Sequence, residues 1–146
     1  MAPRTVKLYG DDIQREAAAL GEITPGMLIE RAPGGVQAHG TAGGMATPSF
    51  AVEMGLTGGT IDDAYEADDT VIFGTFASGS AIYALLAIDG NVAVGDFVAS
   101  DGAGALTNAA AGDIAIAQAI EAVDNTGGSA AVRVRVEVVP AQTVPA

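Results

Sequence analysis

The sequence predicts an all-β or β-rich α+β fold, a compact antiparallel sandwich or barrel of short strands with one or two short helices and an extended N-terminal arm. Turn signals rich in glycine recur about every eight to twelve residues, as in sandwiches and barrels. The chain has 20 glycines among 146 residues, about twice the usual ~7% share. Residues 132–138 (VRVRVEV) alternate valine with charge, so one face of this strand is apolar and the other is charged.

The composition restricts the class of protein. A chain of 146 residues is long enough for one domain with a buried core. The absence of cysteine excludes disulfides, thiolate metal sites and a cysteine nucleophile. The longest apolar run, residues 81–88, is far shorter than the ~18 residues that a membrane span needs. Because the first residues also lack the apolar core of a signal peptide, we expect a soluble, non-exported protein with no membrane partner.

The charge of the chain is strongly acidic and unevenly distributed. The formal net charge is −12, and residues 32–146 contain only two cations, Arg133 and Arg135. Binding of nucleic acid requires clustered Lys and Arg side chains that neutralise phosphates. The composition therefore disfavours a direct nucleic-acid partner and favours a soluble body that resists non-specific association with anionic surfaces.

The chain is predicted to have two parts, an N-terminal arm over residues 1–12 and a single β-rich domain over residues 13–146. Pro3 and two cations precede any periodic pattern, and chain ends are poorly ordered unless they are tied down. Arg4, Lys7 and Tyr9 are the candidates for docking of this arm onto an acidic partner surface. A frayed terminus without a role is the alternative.

A short helix is predicted over residues 11–20 (DDIQREAAAL). Asp11 and Gln14 have the spacing of a capping box, and Gly21 occupies the position of a C-terminal helix cap. A helix of this length is marginal alone, so packing must stabilise it.

Strands are predicted wherever apolar runs lie between turn signals. A hairpin is expected around the turn at residues 33–35, because Pro-Gly-Gly separates two apolar runs. The small-residue segment that begins at Ile114 is expected to pair with or pack on the strand at 132–138. The remaining runs that we interpret as strands are 27–29, 36–39, 49–54, 69–77, 81–88, 92–99 and 106–107.

The side chains that could support catalysis are few. His39 is the only histidine, and a hydrogen-bonded or exposed structural role is the favoured interpretation. The serines at positions 49, 78, 80, 100 and 129 lie in turn-like contexts, and none lies in a G-x-S-x-G elbow. The sequence also contains neither a G-x-G-x-x-G motif nor a phosphate-binding P-loop. We therefore expect no enzyme activity and no cofactor.

One acidic cluster has the chemistry of a calcium ligand set. Carboxylates at short spacing can bind Ca²⁺, but the cluster lacks the spacing of an EF-hand loop. A solvated acidic loop ahead of a strand is the favoured interpretation. The cluster comprises Asp62, Asp63, Glu66, Asp68 and Asp69.

The order of segments along the chain resembles the capsid decoration proteins of tailed bacteriophages, which are also called head-stabilising or cement proteins. The resemblance covers residues 22–139. Its segments are ITPGMLIE, VQAHGTAGG, FAVE, IDDAY, DTVIFGTFASGSAIYALLA, VAVGDFVASDGAGAL, AIAQAIEAVD and VRVRVEVV.

This resemblance implies a compact, mostly β, non-enzymatic structural protein of the virion. Such proteins bind the outer face of the expanded capsid, commonly as trimers, and stabilise it against the pressure of packaged DNA. The implied partners are the major capsid protein and further copies of the same chain. The implied location is the capsid exterior, and the host cytoplasm during assembly. A tail-tube or spike component, and a calcium-dependent binding module that uses residues 62–69, are the alternatives.

The charged face of the strand at 132–138 is a second candidate site. Arg133, Arg135 and Glu137 alternate with the valines, so they point away from the core that the valines face. Ion pairs of these residues with a neighbouring strand of the same chain, or with a neighbouring subunit, both agree with the pattern.

Overall fold

The computed structural model describes residues 2–145, and in that part every regular element except one 3₁₀ turn, Gly55–Thr57, is a β-strand. The predicted β-rich class is therefore confirmed. No helix among these residues is long and apolar enough to cross a membrane. The strands are β1 (Lys7–Tyr9), β2 (Asp12–Ala18), β3 (Ile29–Ala32), β4 (Gly35–Ala38), β5 (Ser49–Ala51), β6 (Thr70–Phe76), β7 (Ala81–Leu86), β8 (Asn91–Val92), β9 (Phe97–Ser100), β10 (Leu106–Asn108), β11 (Ile114–Ala119), β12 (Val123–Asp124) and β13 (Val132–Thr143).

The largest sheet closes into a small barrel. Its strands follow the order β1-β7-β10-β9-β11-β13, and β13 pairs again with β7. Only the contact between β10 and β7 is parallel, at Leu106 and Leu86, and the other pairs are antiparallel. Closure removes the free edges that an open sheet would present to other chains.

Strand β13 supplies one wall of the barrel core, as its alternation predicts. Val134, Val136 and Val138 are at most 1% exposed, and Val136 lies opposite Ile82 of β7 and Ala119 of β11. The segment from Ile114 does pair with β13, in an antiparallel register. The predicted partnership of the two segments is therefore confirmed, and β13 continues five residues beyond Val138, to Thr143.

A second layer packs beside the barrel. The three-stranded sheet β2-β6-β5 is covered by the β3–β4 hairpin, whose Ile29 and Val36 lie in one apolar cluster with Val71 and Phe73 of β6. The buried Tyr65 belongs to the same cluster, and its hydroxyl donates a hydrogen bond to the carbonyl of Val52 at 2.6 Å. The hairpin predicted around residues 33–35 is thus confirmed, and it closes the smaller of two cores.

The predicted helix over residues 11–20 is wrong. Strand β2 covers Asp12–Ala18 and pairs with β6 along its whole length, from Asp12 opposite Phe76 to Ala18 opposite Thr70. The capping signals are local, whereas β6, the partner of all seven residues, lies more than 50 positions later in the sequence. Because an isolated helix of this length is marginal, the non-local pairing determines the conformation.

The predicted arm is largely part of the folded body. Val6 is fully buried, and β1 pairs with β7 through Lys7 opposite Ile82 and Tyr9 opposite Ala81. An apolar residue at position 6 and an unpaired stretch of β7 explain why the chain docks here. Within the described residues, only positions 2–5 precede the first buried side chain.

The alternation of β13 leads to a stability prediction. Val136→Ala should lower the free energy of unfolding by roughly 2 kcal/mol, because it leaves a cavity in the barrel core. Val132→Ala, on the same strand but 37% exposed, is the matched control and should cost roughly 0.5 kcal/mol. Urea unfolding of both variants measures this difference. Equal losses would contradict the inward orientation of Val136.

Candidate functional site

The charged face of β13 contains a half-buried guanidinium, that of Arg133. Arg133 donates a hydrogen bond from Nη1 to the carbonyl of Pro25 at 2.5 Å, and from Nη2 to the carbonyl of Ile61 at 2.6 Å. Its guanidinium also lies 5.8 Å from the ring centroid of Tyr83 on the neighbouring strand. Arg133 thus joins the barrel to two loops of the second layer.

The guanidinium of Arg133 donates to backbone carbonyls and lies in the field of nearby acidic groups. Burial lowers its pKa, and the negative charge of Asp62 acts in the opposite direction. The turn that accepts its hydrogen bond requires glycine: Gly26 has φ of +96°, and a Cβ there would collide with Nη1 of Arg133. These contacts assign Arg133 an architectural role within one chain.

The other two predicted residues on this face behave differently. Arg135 has its Nε 3.8 Å from a carboxylate oxygen of Glu121, and its backbone N–H donates to the same carboxylate at 3.0 Å. Glu137 lies opposite Ala81 on one side and Gln118 on the other, with no cation within 4.0 Å in residues 2–145. The one ion pair observed on this face is therefore internal to the chain, and pairing with another subunit stays a prediction.

The three predicted docking residues of the arm are separated by the fold. Lys7 is paired with Asp12, its Nζ lying 2.9 Å from the carboxylate, and Asp12 is almost buried. Tyr9 is 53% exposed on the barrel surface. Arg4 is exposed and lies beside the loop at residues 59–62. Of the three, Arg4 and Tyr9 are the ones that a partner can reach freely.

His39 forms a buried link between the two layers. Its Nε2 lies 2.9 Å from the carbonyl of Met45, and its Nδ1 lies 2.7 Å from the hydroxyl of Ser100. A carbonyl can only accept, so Nε2 donates to it, and in the neutral ring Nδ1 then accepts from the hydroxyl of Ser100. Ser100 is 1% exposed and also accepts from the N–H of Gly102. This serine is therefore a satisfied structural group rather than an accessible nucleophile, and nothing in the sequence linked it to His39.

The acidic residues at 62–69 form a loop that is stabilised by its own carboxylates. Asp63 accepts hydrogen bonds from the N–H and hydroxyl of Thr60, and Asp69 accepts from the N–H of Glu66. Among residues 2–145, no group of three or more His, Asp or Glu side chains is arranged to hold a metal ion. The hydrogen bonds of Asp63 and Asp69 thus give the acidic loop an internal structure, and calcium binding stays an untested alternative.

A groove with two arginines lies at one end of the second layer. We call it the basic groove and define it by Arg15, Arg31, Met45, Phe73 and Thr75, which line a cavity of about 250 Å³. Arg15 lies directly opposite Phe73 in the sheet, and the guanidinium of Arg31 lies 5.6 Å from the centroid of the same ring. Neither arginine has a carboxylate within 4.0 Å in the described part of the chain.

The one carboxylate beside the basic groove is already engaged. Glu30 accepts hydrogen bonds from the side-chain amide of Gln37 at 2.8 Å and from the N–H of Gly40 at 3.2 Å. The amide of Gln37 is the main reason that the pKa of Glu30 lies below its usual value. Glu30 keeps its negative charge, but it lies within 4.0 Å of neither Arg15 nor Arg31, so both guanidinium groups are without an ion-pair partner in the described residues. Sequence reasoning missed this site because Arg15 was assigned to a helix.

The described residues thus form a small β-barrel with a second layer packed beside it, and the basic groove and the acidic loop are exposed on that layer. No protein-family model matches the chain, and no curated protein matches its sequence. Among solved structures, the chain is similar in fold to the N base of the head fibre gp8.5 of bacteriophage phi29. The TM-score is 0.59 at 10% sequence identity, and the match covers 90% of this chain and 98% of that one.

The role of Arg133 can be tested by substitution. Arg133→Lys should lower the free energy of unfolding by roughly 1–3 kcal/mol, because one ammonium cannot replace the planar fork that reaches two separate carbonyls. Arg135→Lys is the matched control and should change it by less than about 0.5 kcal/mol. Chemical denaturation measures both values, and a tolerated Arg133→Lys would refute the proposed link.

Proposed function

We propose that this chain is a structural protein of a tailed-bacteriophage head, which binds the outer surface of the expanded capsid and stabilises it against internal DNA pressure. The observation that carries this proposal is the fold similarity to the phi29 head-fibre base along nearly the full length of both chains. The order of segments that resembles capsid decoration proteins supports the same class from the sequence.

The physical properties of the fold suit this function. A stabilising protein must be stiff, and the closed barrel with two apolar cores provides a rigid body. The net charge of −12 weakens any attraction to the packaged DNA. The buried environment of Ser100 and His39 also fits a non-enzymatic role.

The proposed partners are the major capsid protein and further copies of this chain. A single small contact with a capsid subunit binds weakly. Linked contacts of an oligomer raise the overall affinity by about 10²–10⁴-fold without any new type of contact. We therefore propose a homo-oligomer, with a trimer favoured, on the exterior of the capsid.

The proposal predicts selective binding to mature shells. The purified protein should co-sediment saturably with expanded capsids of its phage and raise their resistance to heat. Unexpanded capsids serve as the control and should bind at least about tenfold more weakly. Negative-stain images that show tubes or free spikes, with no decorated shells, would instead support a tail-tube or spike component.

The free part of the arm can be tested separately. Deletion of residues 2–5 should leave the melting temperature nearly unchanged, because the first buried side chain is Val6. The same deletion should weaken capsid binding about tenfold if Arg4 docks onto the shell. The variant Arg4→Ala isolates the contribution of the charge. Unchanged capsid occupancy in both variants would remove the arm from the docking mechanism.

A further inference from the structure

The basic groove and the acidic loop lie at different positions along strand β6. Near the end of β6, Thr75 lines the basic groove and lies opposite Ile13 of β2. At its beginning, Thr70 follows directly after the acidic loop at residues 62–69. Five residue steps along the strand, from Thr70 to Thr75, span about 17 Å. The basic groove and the acidic loop are therefore separate surfaces of the same layer.

The basic groove combines two unpaired arginines with exposed apolar surface. Arg15 and Arg31 have no carboxylate partner among residues 2–145. Met45 at the groove is 80% exposed, and the neighbouring Ile13 is 62% exposed. A groove with these properties fits a ligand that presents carboxylates beside an apolar side chain.

The acidic loop at residues 62–69 presents carboxylates that could pair with these arginines. Asp62, Glu66 and Asp68 use their carboxylates in no hydrogen bond or ion pair within the described chain, unlike the two aspartates that hold the loop. Leu56 lies on the turn Gly55–Thr57, which flanks the same depression as Asp63, and it is 88% exposed. An exposed apolar side chain thus lies on the turn next to the depression that Asp63 and Asp69 of the acidic loop line.

We propose that the basic groove of one copy receives the acidic loop of a second copy. A chain with a net charge of −12 repels its own copies unless their contact pairs opposite charges. The groove is the place in the described chain where two unpaired arginines lie together, and the loop that complements it belongs to the same chain. Bidentate contacts between guanidinium and carboxylate groups would give this contact its geometry.

The proposed contact joins two different surfaces, so it is head-to-tail. Each copy keeps a free loop at one end and a free groove at the other. Such contacts close into a ring when the rotation between copies allows it. The inference names the self-contact of the homo-oligomer in the proposed function. It is measured on the purified protein without capsids, so either proposal can fail alone.

Complementation between two variants tests the head-to-tail contact. The groove variant is Arg15→Glu with Arg31→Glu, and it retains the loop. The loop variant is Asp62→Asn with Glu66→Gln and Asp68→Asn, and it retains the groove. Asparagine suits position 68, where φ is +73°.

Sedimentation velocity over a range of concentrations gives the readout. The unmodified protein should form oligomers. Each variant alone should have a dissociation constant raised at least about 30-fold. An equimolar mixture of the two variants should form a one-to-one dimer and nothing larger, because only one intact loop and one intact groove can meet.

A control variant separates this contact from general repulsion. A variant with Ser78→Asp, Ala122→Asp, Ser129→Asp and Gln142→Glu adds the same negative charge as the groove variant at exposed positions away from both the groove and the acidic loop, and it should associate like the unmodified protein. Circular dichroism checks that every variant is folded. The proposal is overturned if the unmodified protein is a monomer, if the groove variant still associates, or if the mixture of variants stays monomeric. A monomer whose groove variant loses only capsid binding would assign the groove to another protein.

Discussion

The double pairing of β13 is the constraint on which the rest of the structure depends. This strand forms one ladder with β7 and another with β11, so it closes the sheet into a barrel. Closure is possible because its valine face fills the interior while its charged face stays outside. A shift of register by one residue would exchange these faces and place the arginines inside the core. The alternation of these seven residues thus allows the barrel to close, and it places the valines inside and the charged side chains outside.

The outer face of the same strand connects the barrel to the second layer. Arg133 satisfies backbone carbonyls in two loops that no strand pairing reaches. A buried carbonyl without a donor is costly, so the guanidinium stabilises the fold by donating to these two carbonyls. The position of the β2-β6-β5 sheet relative to the barrel therefore depends on a side chain from the barrel wall. His39 and Ser100 make a second link of the same kind.

The sequence predicts an element correctly where the residues that determine it are close together in the chain, and it fails where they are far apart. The alternation of β13 and the turn at residues 33–35 are local patterns, and both lead to the observed elements. Strand β2 was predicted as a helix because its capping signals are local, whereas its pairing with β6 spans the chain. The basic groove could not be predicted at all, because Arg15 and Arg31 meet only through the packing of the β3–β4 hairpin on that misassigned strand.

The fold pairs some of the six cations within the chain and leaves the others unpaired among the described residues. Lys7, Arg133 and Arg135 are engaged inside the chain, by Asp12, by backbone carbonyls and by Glu121 respectively. The remaining cations are Arg4, Arg15 and Arg31. These three arginines are the cations with no carboxylate within 4.0 Å and no backbone-carbonyl contact in residues 2–145. Arg15 and Arg31 lie together in the basic groove, so this groove is where an acidic surface would meet unpaired positive charge.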